Sequence, residues 1–276
     1  MPTAKQKAEH FTHLHQREDK ALILPNAWDV GSARMLESMG FEAIATTSAG
    51  FAFSLGKRDW PGEVKRAEAL GMCKAIVKAV DAPVSADLEN GFGLKPETVA
   101  ETIRQAAAAG LAGCTIEDTS GKHDAPIIDF KHAVERISAA VHARNELKRP
   151  FMLTARAENF LHGRPDLDDT ISRLIAFEAA GADVLYAPGL ASLADIEKVC
   201  EAVSRPVNVV IGTASSHFTV AGLEAAGVKR ISMGSSFARA AIGGFLQAAR
   251  EVMNKGTFEF AGYAASFAQI DELLKR

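Results

Sequence analysis

The sequence predicts an α/β protein with the architecture of a (β/α)₈ barrel. The first indication is a phrase that recurs four times, in which a helical segment ends in a small residue and glycine and passes at once into a short apolar run. A glycine in that place suits the left-handed residue that ends a helix. Apolar strands that alternate with helices indicate a parallel sheet covered by helices, and eight of them favour a closed barrel over an open sheet.

The eight strands are predicted in two alternating sets. The even-numbered strands end the helix–glycine phrases MLESMGFEAIATT (35–47), AAAAGLAGCTIED (106–118), AFEAAGADVLYAP (176–188) and GLEAAGVKRISMG (222–234). The odd-numbered strands lie in runs near a proline, namely ALILPN (21–26), APVSAD (82–87), RPFMLTAR (149–156) and RPVNVVIG (205–212). Amphipathic stretches such as 96–110 and 168–181 supply helices between them. No GxGxxG follows the first strand, which disfavours a dinucleotide-binding open sheet.

A single domain is predicted for residues 1–276, because α/β barrels of about 250 residues are single domains. Residues 1–19 are predicted to form an extra N-terminal helix, and residues 20–237 the barrel core. Residues 238–276 are predicted to be helical with a break at 255–257. A tail of that length is either an extra cap or an oligomer contact.

Composition and patterning disfavour several classes of protein. The formal net charge is −3 and no Lys/Arg run with interleaved aromatics occurs, so a nucleic-acid partner is not expected. Cys73, Cys114 and Cys200 are far apart and odd in number, which fits neither a disulfide framework nor a CxxC zinc site. No stretch reaches the roughly 18 uninterrupted apolar residues of a membrane span. A cytoplasmic protein with a small-molecule partner is the expectation.

Polar and mostly acidic side chains follow several predicted strands. The carboxyl ends of the strands, where barrel active sites lie, carry Asp87, Glu89, Glu117, Asp118, Arg156, Glu158 and the candidate substrate contact Asn208. Carboxylates that converge on one rim repel one another, and a hard divalent cation with oxygen ligands relieves that repulsion. DLENGFG (87–93) fits such a site if its two acids share one side of an extended stretch and its glycines turn the loop.

Each of these features also has a structural interpretation. Asp87 could cap the next helix, and Asp118 could cap its own loop. Arg156 could merely neutralise neighbouring acids, or its planar fork could bind a substrate carboxylate. TTSAG (46–50) could form a tight turn or a nest of backbone N–H groups for a carboxylate. Without a zinc-like HxxxH or HxH spacing, surface loops are expected to hold His123, His162 and His217.

Six linked motifs occur in order between residues 18 and 245: LPNAWDVGSARMLESMGFEAI, TTSAGFAFSLGKRDW, DLENGFG, GLAGCTIEDTSG, ARAENF and GADVLYAPG. Together they resemble the isocitrate lyase and phosphoenolpyruvate mutase superfamily. DLENGFG departs from the usual Asp-Ala-Asp-Thr-Gly-Tyr/Phe-Gly form, since Glu89 replaces the second Asp and Asn90 the Thr. The chemistry shared by that superfamily is a metal-chelated, pyruvate-type enolate, reached by breaking a C–C or P–C bond.

The resemblance implies a role for each matching residue. Asp87 would bind Mg²⁺, or Mn²⁺ in its place, while Asp59, Glu89 and Glu117 would hold its waters. Arg156, supported by Glu158, would contact the substrate carboxylate and the developing oxyanion. Backbone N–H groups would bind the substrate's C1 carboxylate in the turn formed by Thr47, Ser48, Ala49 and Gly50. The resemblance also implies a homotetramer, or at least a homodimer, in which the last barrel helix is exchanged between neighbours.

The corresponding lid loop, DTSGKHDAPIID (118–129), departs from two family patterns. It has no cysteine where isocitrate and methylisocitrate lyases carry Lys-Lys/Arg-Cys-Gly-His, and no asparagine where the mutase carries Lys-Thr-Asn. Both kinds of enzyme are therefore disfavoured. Lys122 and His123 are candidate catalytic residues, with solvated lid side chains as the alternative. Oxaloacetate-type decarboxylases and lyases of substituted malates lack both lids and remain.

The expected function is that of an Mg²⁺-dependent lyase that cleaves a C–C bond of a small 2-oxo or 2-hydroxy mono- or dicarboxylate. P–C chemistry, as in phosphonopyruvate hydrolase or the mutase, is a second possibility. A 2-oxo acid binding protein without catalysis is a third, because the lid lacks a dedicated proton donor.

Overall fold

The computed structural model describes residues 1–59 and 62–275, so Trp60, the last residue of the motif TTSAGFAFSLGKRDW, lies outside the described residues. All paired strand segments are parallel and form one sheet. Their bounds are β1 Leu22–Leu24, β2 Asn26–Ala27, β3 Ile44–Thr46, β4 Val84–Asp87, β5 Gly113–Glu117, β6 Met152–Arg156, β7 Val184–Tyr186, β8 Val207–Val210 and β9 Arg230–Ser232. The predicted barrel is confirmed, with one change in its first strand.

The first predicted strand is divided at Pro25 into β1 and β2. β1 pairs with β9, where Leu22 lies opposite Arg230, whereas β2 pairs with β3 on the other side. Proline has no backbone N–H to donate, so the ladder is interrupted at this residue. Its carbonyl still accepts a hydrogen bond from the Ala45 N–H at 2.8 Å. Consecutive residues therefore link the two ends of the sheet and close the barrel.

The helices lie between the strands in the predicted alternation. Their bounds are α1 Ala4–His15, α2 Val30–Ser38, α3 Ser48–Ser54, α4 Arg66–Ala79, α5 Pro96–Ala108, α6 Phe130–Asn145, α7 Leu167–Ala179, α8 Leu193–Ala202, α9 Val220–Ala225, α10 Ser236–Lys255 and α11 Phe267–Leu273. The four glycines of the repeated phrase all have positive φ, as predicted: Gly40 (+93°), Gly110 (+91°), Gly181 (+104°) and Gly227 (+87°).

Helix α1 covers the amino-terminal end of the barrel. It begins at a capping box formed by Thr3 and Gln6. Its buried residues Ala8, Phe11 and Leu14 pack in one apolar cluster with residues at the start of the strands. A side chain at Gly113 would meet the Met152 carbonyl and the Phe11 ring, so the close approach of α1 requires glycine there. The open end of the barrel is therefore the carboxyl-terminal end.

The C-terminal helices expose a large apolar surface. Helix α10 ends at Gly256, whose φ is +66°, so the predicted break is confirmed. Ala238 is its only buried residue. Exposed apolar side chains on the tail include Phe245 (70%), Met253 (83%) and Phe267 (89%). None of the described helices is both long enough and apolar enough to span a bilayer.

Candidate active site

Arg156 is the centre of a cluster of carboxylates at the carboxyl end of the barrel. It is the last residue of β6, and Glu117 lies opposite it at the end of β5. Its Nη1 is 3.1 Å from Asp87 Oδ1, its Nη2 is 3.2 Å from Glu117 Oε2, and its Nε donates to Glu158 Oε1 at 2.7 Å. The guanidinium carbon lies 5.0 Å from the ring centre of Tyr186. Arg156 therefore forms ion pairs with three carboxylates.

The pKa values in this cluster reflect burial opposed by ion pairing. Burial alone would lower the pKa of Arg156, but Glu158, Glu117 and Asp87 raise it well above its ordinary value. Burial raises the pKa of Glu158, and Arg156 opposes that rise. A guanidinium held this firmly presents a fixed cationic edge to the cavity.

Two further acids leave the cluster with excess negative charge. Asp59 and Glu89 line the cavity, and no ion pair to either occurs within residues 1–59 and 62–275. Burial raises the pKa of Glu89 to about 8, with repulsion from Asp87 and Glu117 as further causes. Burial and the same two acids raise the pKa of Asp59 to about 6. A bound cation would relieve this repulsion.

The donor set fits magnesium held largely through water. Its ligand atoms would all be carboxylate oxygens, which Mg²⁺ prefers, and Mg²⁺ usually takes one or two carboxylates and keeps several waters. Among the described residues, no group of three or more His, Cys, Asp or Glu side chains is arranged to hold a metal ion.

The backbone after Asp87 differs from the extended stretch that we expected. β4 ends at Asp87, and Glu89 has a φ of +50°. Its carbonyl accepts from the Glu117 N–H at 3.0 Å, which holds it in this conformation. The predicted alternation of 87 and 89 along one extended face is therefore wrong, although both side chains line the mouth cavities. The turn expected at Gly91 is confirmed, with a φ of +78°.

Asp87 does not cap the helix that follows it. Lys95 is the N-cap residue of α5, and no side-chain hydrogen bond caps this helix. Asp87 instead accepts from the Ser48 hydroxyl (2.9 Å), the Ser48 N–H (3.3 Å) and the Thr115 hydroxyl (3.3 Å). These contacts orient the carboxylate at the mouth, so the capping interpretation is wrong for this residue.

TTSAG spans the end of β3 and the first turn of helix α3, so the alternative of a tight turn is wrong. Thr47 caps the helix, and its hydroxyl accepts from the Gly50 N–H at 3.3 Å. Thr47, Ser48 and Ala49 line a cavity in the barrel mouth. A side chain at Gly50 would meet Thr47, Trp28 and Ala238 instead, so Gly50 serves close packing. The N–H groups of Thr47, Ser48 and Gly50 already donate to Ala27 O, Asp87 Oδ2 and Thr47 Oγ1, so the Ala49 N–H is the one that remains a candidate for a carboxylate among these described residues.

Asp118 points away from the mouth and stabilises the backbone of Glu158. It is 2% exposed, accepts from the Glu158 N–H at 2.8 Å, and pairs with Arg173 Nη1 at 3.0 Å. Burial raises its pKa to about 6. Asn208 also lies within the barrel, where its amide donates to Ser232 Oγ at 3.0 Å. It does not line either mouth cavity, and its role in substrate binding stays a prediction.

The lid loop folds over one side of the mouth. Thr119 and Ile127 form an antiparallel bridge, and the Ser120 N–H donates to the Pro126 carbonyl at 2.7 Å. Lys122 and His123 are exposed and line a cavity of about 520 Å³ with the acids and Arg156. His162, expected on the surface, is exposed but lines the same cavity, whereas His217 packs on Phe218.

Sequence reasoning missed Tyr186, Leu161 and Arg230, which also line the mouth and its floor. Tyr186 ends an apolar run, and only the register of β7 beside β6 places it under Arg156. The sequence did contain a signal for Arg230. Arginine is rarely buried unless it is paired, and this one lies inside an apolar strand run.

Residues 11–253 match the family model described as phosphoenolpyruvate phosphomutase. The chain belongs to the phosphoenolpyruvate mutase family. The resemblance found in the sequence motifs is thereby confirmed. Relatives of this chain carry the names of different reactions, so membership alone leaves the substrate open.

Two curated relatives from this family are named for reactions of small carboxylates. A probable 2-methylisocitrate lyase 2 of Corynebacterium glutamicum is 32% identical over 190 residues, which are 67% of this chain and 60% of the relative. The match therefore spans less than two thirds of that relative's length. An oxaloacetate decarboxylase of Paraburkholderia xenovorans is 30% identical over 218 residues, which are 75% of this chain and 68% of the relative.

Solved structures of other proteins share the fold. A protein of Burkholderia cenocepacia J2315, described provisionally as a lyase/mutase, is 52% identical with a TM-score of 0.94, covering 97% of this chain and 95% of that one. A phosphonopyruvate hydrolase in complex with oxalate and Mg²⁺ has a TM-score of 0.85 at 24% identity, covering 97% of this chain and 94% of that one.

Proposed function

We propose that the protein is a magnesium-dependent lyase that cleaves a C–C bond of a small 2-oxo or 2-hydroxy carboxylate. The observation that carries this proposal is the cluster of Arg156 with Asp87, Glu117 and Glu158, beside which Asp59 and Glu89 have no cationic partner in the described chain. The names of two relatives, a 2-methylisocitrate lyase and an oxaloacetate decarboxylase, support the reaction class.

The acids divide into direct and indirect metal contacts. Asp87 would bind Mg²⁺ directly, and Asp59, Glu89 and Glu117 would bind its waters; Mn²⁺ would fit the same oxygen donors. When bound, the ion supplies Lewis-acid stabilisation to the substrate oxygen on which negative charge develops.

Arg156 is the group that would hold the substrate anion. Its position is fixed by the Nε bond to Glu158, whose backbone N–H is in turn fixed by Asp118. A preorganised guanidinium stabilises developing charge without having to reorient during the reaction. The Ala49 N–H, in the first turn of α3, would bind the substrate carboxylate, and the Ser48 N–H would join it by giving up its 3.3 Å bond to Asp87.

Proton return to the product would come from the lid. Among the lid residues that line the cavity, Lys122 and His123 carry the side chains that can act as acids near neutral pH, whereas the Thr119 hydroxyl donates to Glu117. We propose that one of them delivers the proton, in place of a cysteine. Lys122 and His123 are both exposed in this structure. Closure of the lid over the substrate would exclude water from the site.

The test of the reaction class is a panel of substrates assayed with and without Mg²⁺. We expect release of a 2-oxo acid from oxaloacetate or a substituted malate, and loss of this release on complete chelation of divalent ions. Phosphate release from phosphonopyruvate would instead assign P–C chemistry. Metal-dependent binding of oxalate without turnover of any substrate would assign a binding protein and contradict the lyase.

The raised pKa values predict a pH-dependent effect of Mg²⁺ on stability. Glu89, with a pKa near 8, and Asp59, near 6, stabilise the metal-free fold most at low pH. That contribution is lost as the pH rises through those values, because the folded protein must then bear the buried charges. We expect the metal-free Tm to fall between about pH 5 and 8, and Mg²⁺ to raise the Tm more at pH 8 than at pH 6.

Thermal melts with and without Mg²⁺ check this expectation. Glu89→Gln keeps the size of the side chain and removes its titration, so it should weaken the pH dependence above pH 6. An equal Mg²⁺ effect at both pH values in the wild-type protein would contradict the assignment of Glu89 to the metal site.

Oligomer formation through α10 is a further part of the proposal. Phe245 and Met253 are 70% and 83% exposed, and an apolar helical face of this kind is normally covered. We propose a homodimer or homotetramer in which α10 is exchanged between neighbours. Sedimentation should give a multiple of the 29.4 kDa chain, and Phe245→Lys should shift it toward the monomer. Gln247→Lys on the same helix is the matched control, and a monomeric wild type would contradict this proposal.

We also propose a cytoplasmic location. All three cysteines, Cys73, Cys114 and Cys200, are free, which suits a reducing compartment.

A further inference from the structure

The interior of this barrel is unusually polar. Barrels of this class usually fill their interior with layers of branched apolar side chains. Here a cavity of about 200 Å³ extends below the mouth, and Ser48, Asp59, Arg156 and Leu161 line both it and the mouth cavity. Its deeper lining includes Asn26, Thr46, Ser85, Thr115, Arg230 and Ser232. This lining suits a polar ligand rather than apolar packing.

Arg230 lies in this cavity without a counter-ion. It is 2% exposed. Its Nη1 donates to Thr154 Oγ1 at 2.9 Å, and its Nε has no partner in the described part of the chain. No carboxylate forms an ion pair with it within residues 1–59 and 62–275. The charge is therefore buried with a single neutral acceptor.

The groups that surround Arg230 do not neutralise it. The ionisable side chains close enough to affect it are Tyr186, Arg156, Cys114 and His15. None is a carboxylate, and Arg156 repels it. Burial lowers the pKa of Arg230 to about 10, so it remains charged at neutral pH. A buried charge is costly unless it is paired.

Other buried arginines of this chain are compensated. Arg173 pairs with Asp118 and Asp169, and Arg136 donates to three backbone carbonyls, although its Nε also has no partner among the described residues. Arg156 has three carboxylates. By contrast, Arg230 has one neutral acceptor and lines an open volume, an arrangement that suits a bound anion.

We infer that Arg230 binds the distal carboxylate of the substrate, at the floor of the cavity. This inference rests on the proposed function, since it requires the other end of the substrate to lie at Asp87 and Arg156. The substrate is then a dicarboxylate that extends down the barrel axis, and Arg230 selects it over shorter acids. The bond from Nη1 to Thr154 orients the guanidinium fork.

Calorimetric binding of oxalate and malate in the presence of Mg²⁺ tests the inference without any need for turnover. Oxalate is too short to span the mouth and the floor, whereas malate carries a second carboxylate further from its 2-hydroxy acid end. We expect Arg230→Met to raise the Kd for malate by at least about tenfold, because the distal carboxylate loses its buried partner. The Kd for oxalate should stay within about twofold of the wild type. Arg230→Lys keeps the charge and should recover part of the malate affinity.

Arg149→Met is the matched control. Arg149 also donates only to neutral oxygens, the carbonyls of Pro150 and Ala107, but it lies outside both mouth cavities. Arg149→Met should leave the affinities for oxalate and for malate unchanged. Wild-type protein that binds oxalate but not malate would overturn the role of Arg230 alone. Wild-type protein that binds neither would refute the proposed function together with it.

Thermal unfolding separates ligand binding from a structural role. Removing an uncompensated buried charge should leave the ligand-free Tm of Arg230→Met no lower than that of the wild type. A Tm lowered by several degrees, or equal losses of oxalate and malate affinity, would show that Arg230 supports the fold or the mouth as a whole and would overturn the inference.

Discussion

Arg156→Met is expected to abolish turnover and to destabilise the metal-free protein. Arg156 is the cation that Asp87, Glu117 and Glu158 share, at 3.1, 3.2 and 2.7 Å. Without it, the developing charge on the substrate loses a preorganised donor, and kcat/KM should fall about a thousandfold or more. The carboxylates would also be left buried and uncompensated, at a cost of about 3–5 kcal/mol in the free energy of unfolding.

Arg156→Lys distinguishes charge from geometry. A lysine restores one positive charge, so most of the stability should return. It cannot reach three carboxylates as a planar fork, so kcat/KM should remain about 10²–10³-fold below the wild type. Steady-state kinetics and denaturant unfolding on the same samples measure the two effects.

Arg144→Met is the control for the loss of a partly buried ion pair elsewhere. Arg144 pairs with Asp183, which accepts from the Leu153 N–H at the amino end of β6, so this pair lies at the opposite end of the strands. It should lower stability and leave kcat/KM near the wild-type value. Arg156→Met with more than about a tenth of wild-type activity would contradict the proposed role.

The sequence contained enough to predict the barrel and the position of its site. A glycine at the end of a helix and the short apolar run after it are local signals. In this protein they lie where a helix stops and the next strand starts. In a parallel sheet the carboxyl ends of neighbouring strands share one rim. Asp87, Glu117 and Arg156 could therefore be placed together although 69 residues separate the first and last.

The details that could not be predicted depend on tertiary contacts. Glu89 takes a left-handed conformation that is unusual for a residue other than glycine, and the Glu117 N–H that holds it comes from the next strand. The division of the first strand at Pro25 likewise depends on which neighbours pair with each half. For Arg230 the sequence shows only a charge in an apolar run, and whether a carboxylate lies nearby is decided by the packed barrel.

Asp87→Ala is expected to remove the Mg²⁺ requirement together with nearly all activity. Asp87 is the acid that contacts the most partners at the mouth, since Arg156, Ser48 and Thr115 all donate to its two oxygens. These donors hold the carboxylate in one orientation while leaving lone pairs for a cation. Loss of the direct ligand should lower kcat by about a thousandfold, because Lewis-acid stabilisation contributes several kcal/mol to the transition state.

Asp87→Asn tests whether charge or hydrogen bonding accounts for this effect. The amide keeps the size of the side chain and one acceptor oxygen, so the contact with Ser48 can persist, but it is a poor ligand for Mg²⁺. We expect its kcat to be as low as that of Asp87→Ala, and calorimetry to detect no Mg²⁺ binding. Asp183→Asn, at the amino end of β7, is the matched control and should retain metal-dependent turnover. If Asp87→Asn bound Mg²⁺ like the wild type, Arg156 would simply neutralise this acid, and the rim of carboxylates would serve the fold rather than a metal.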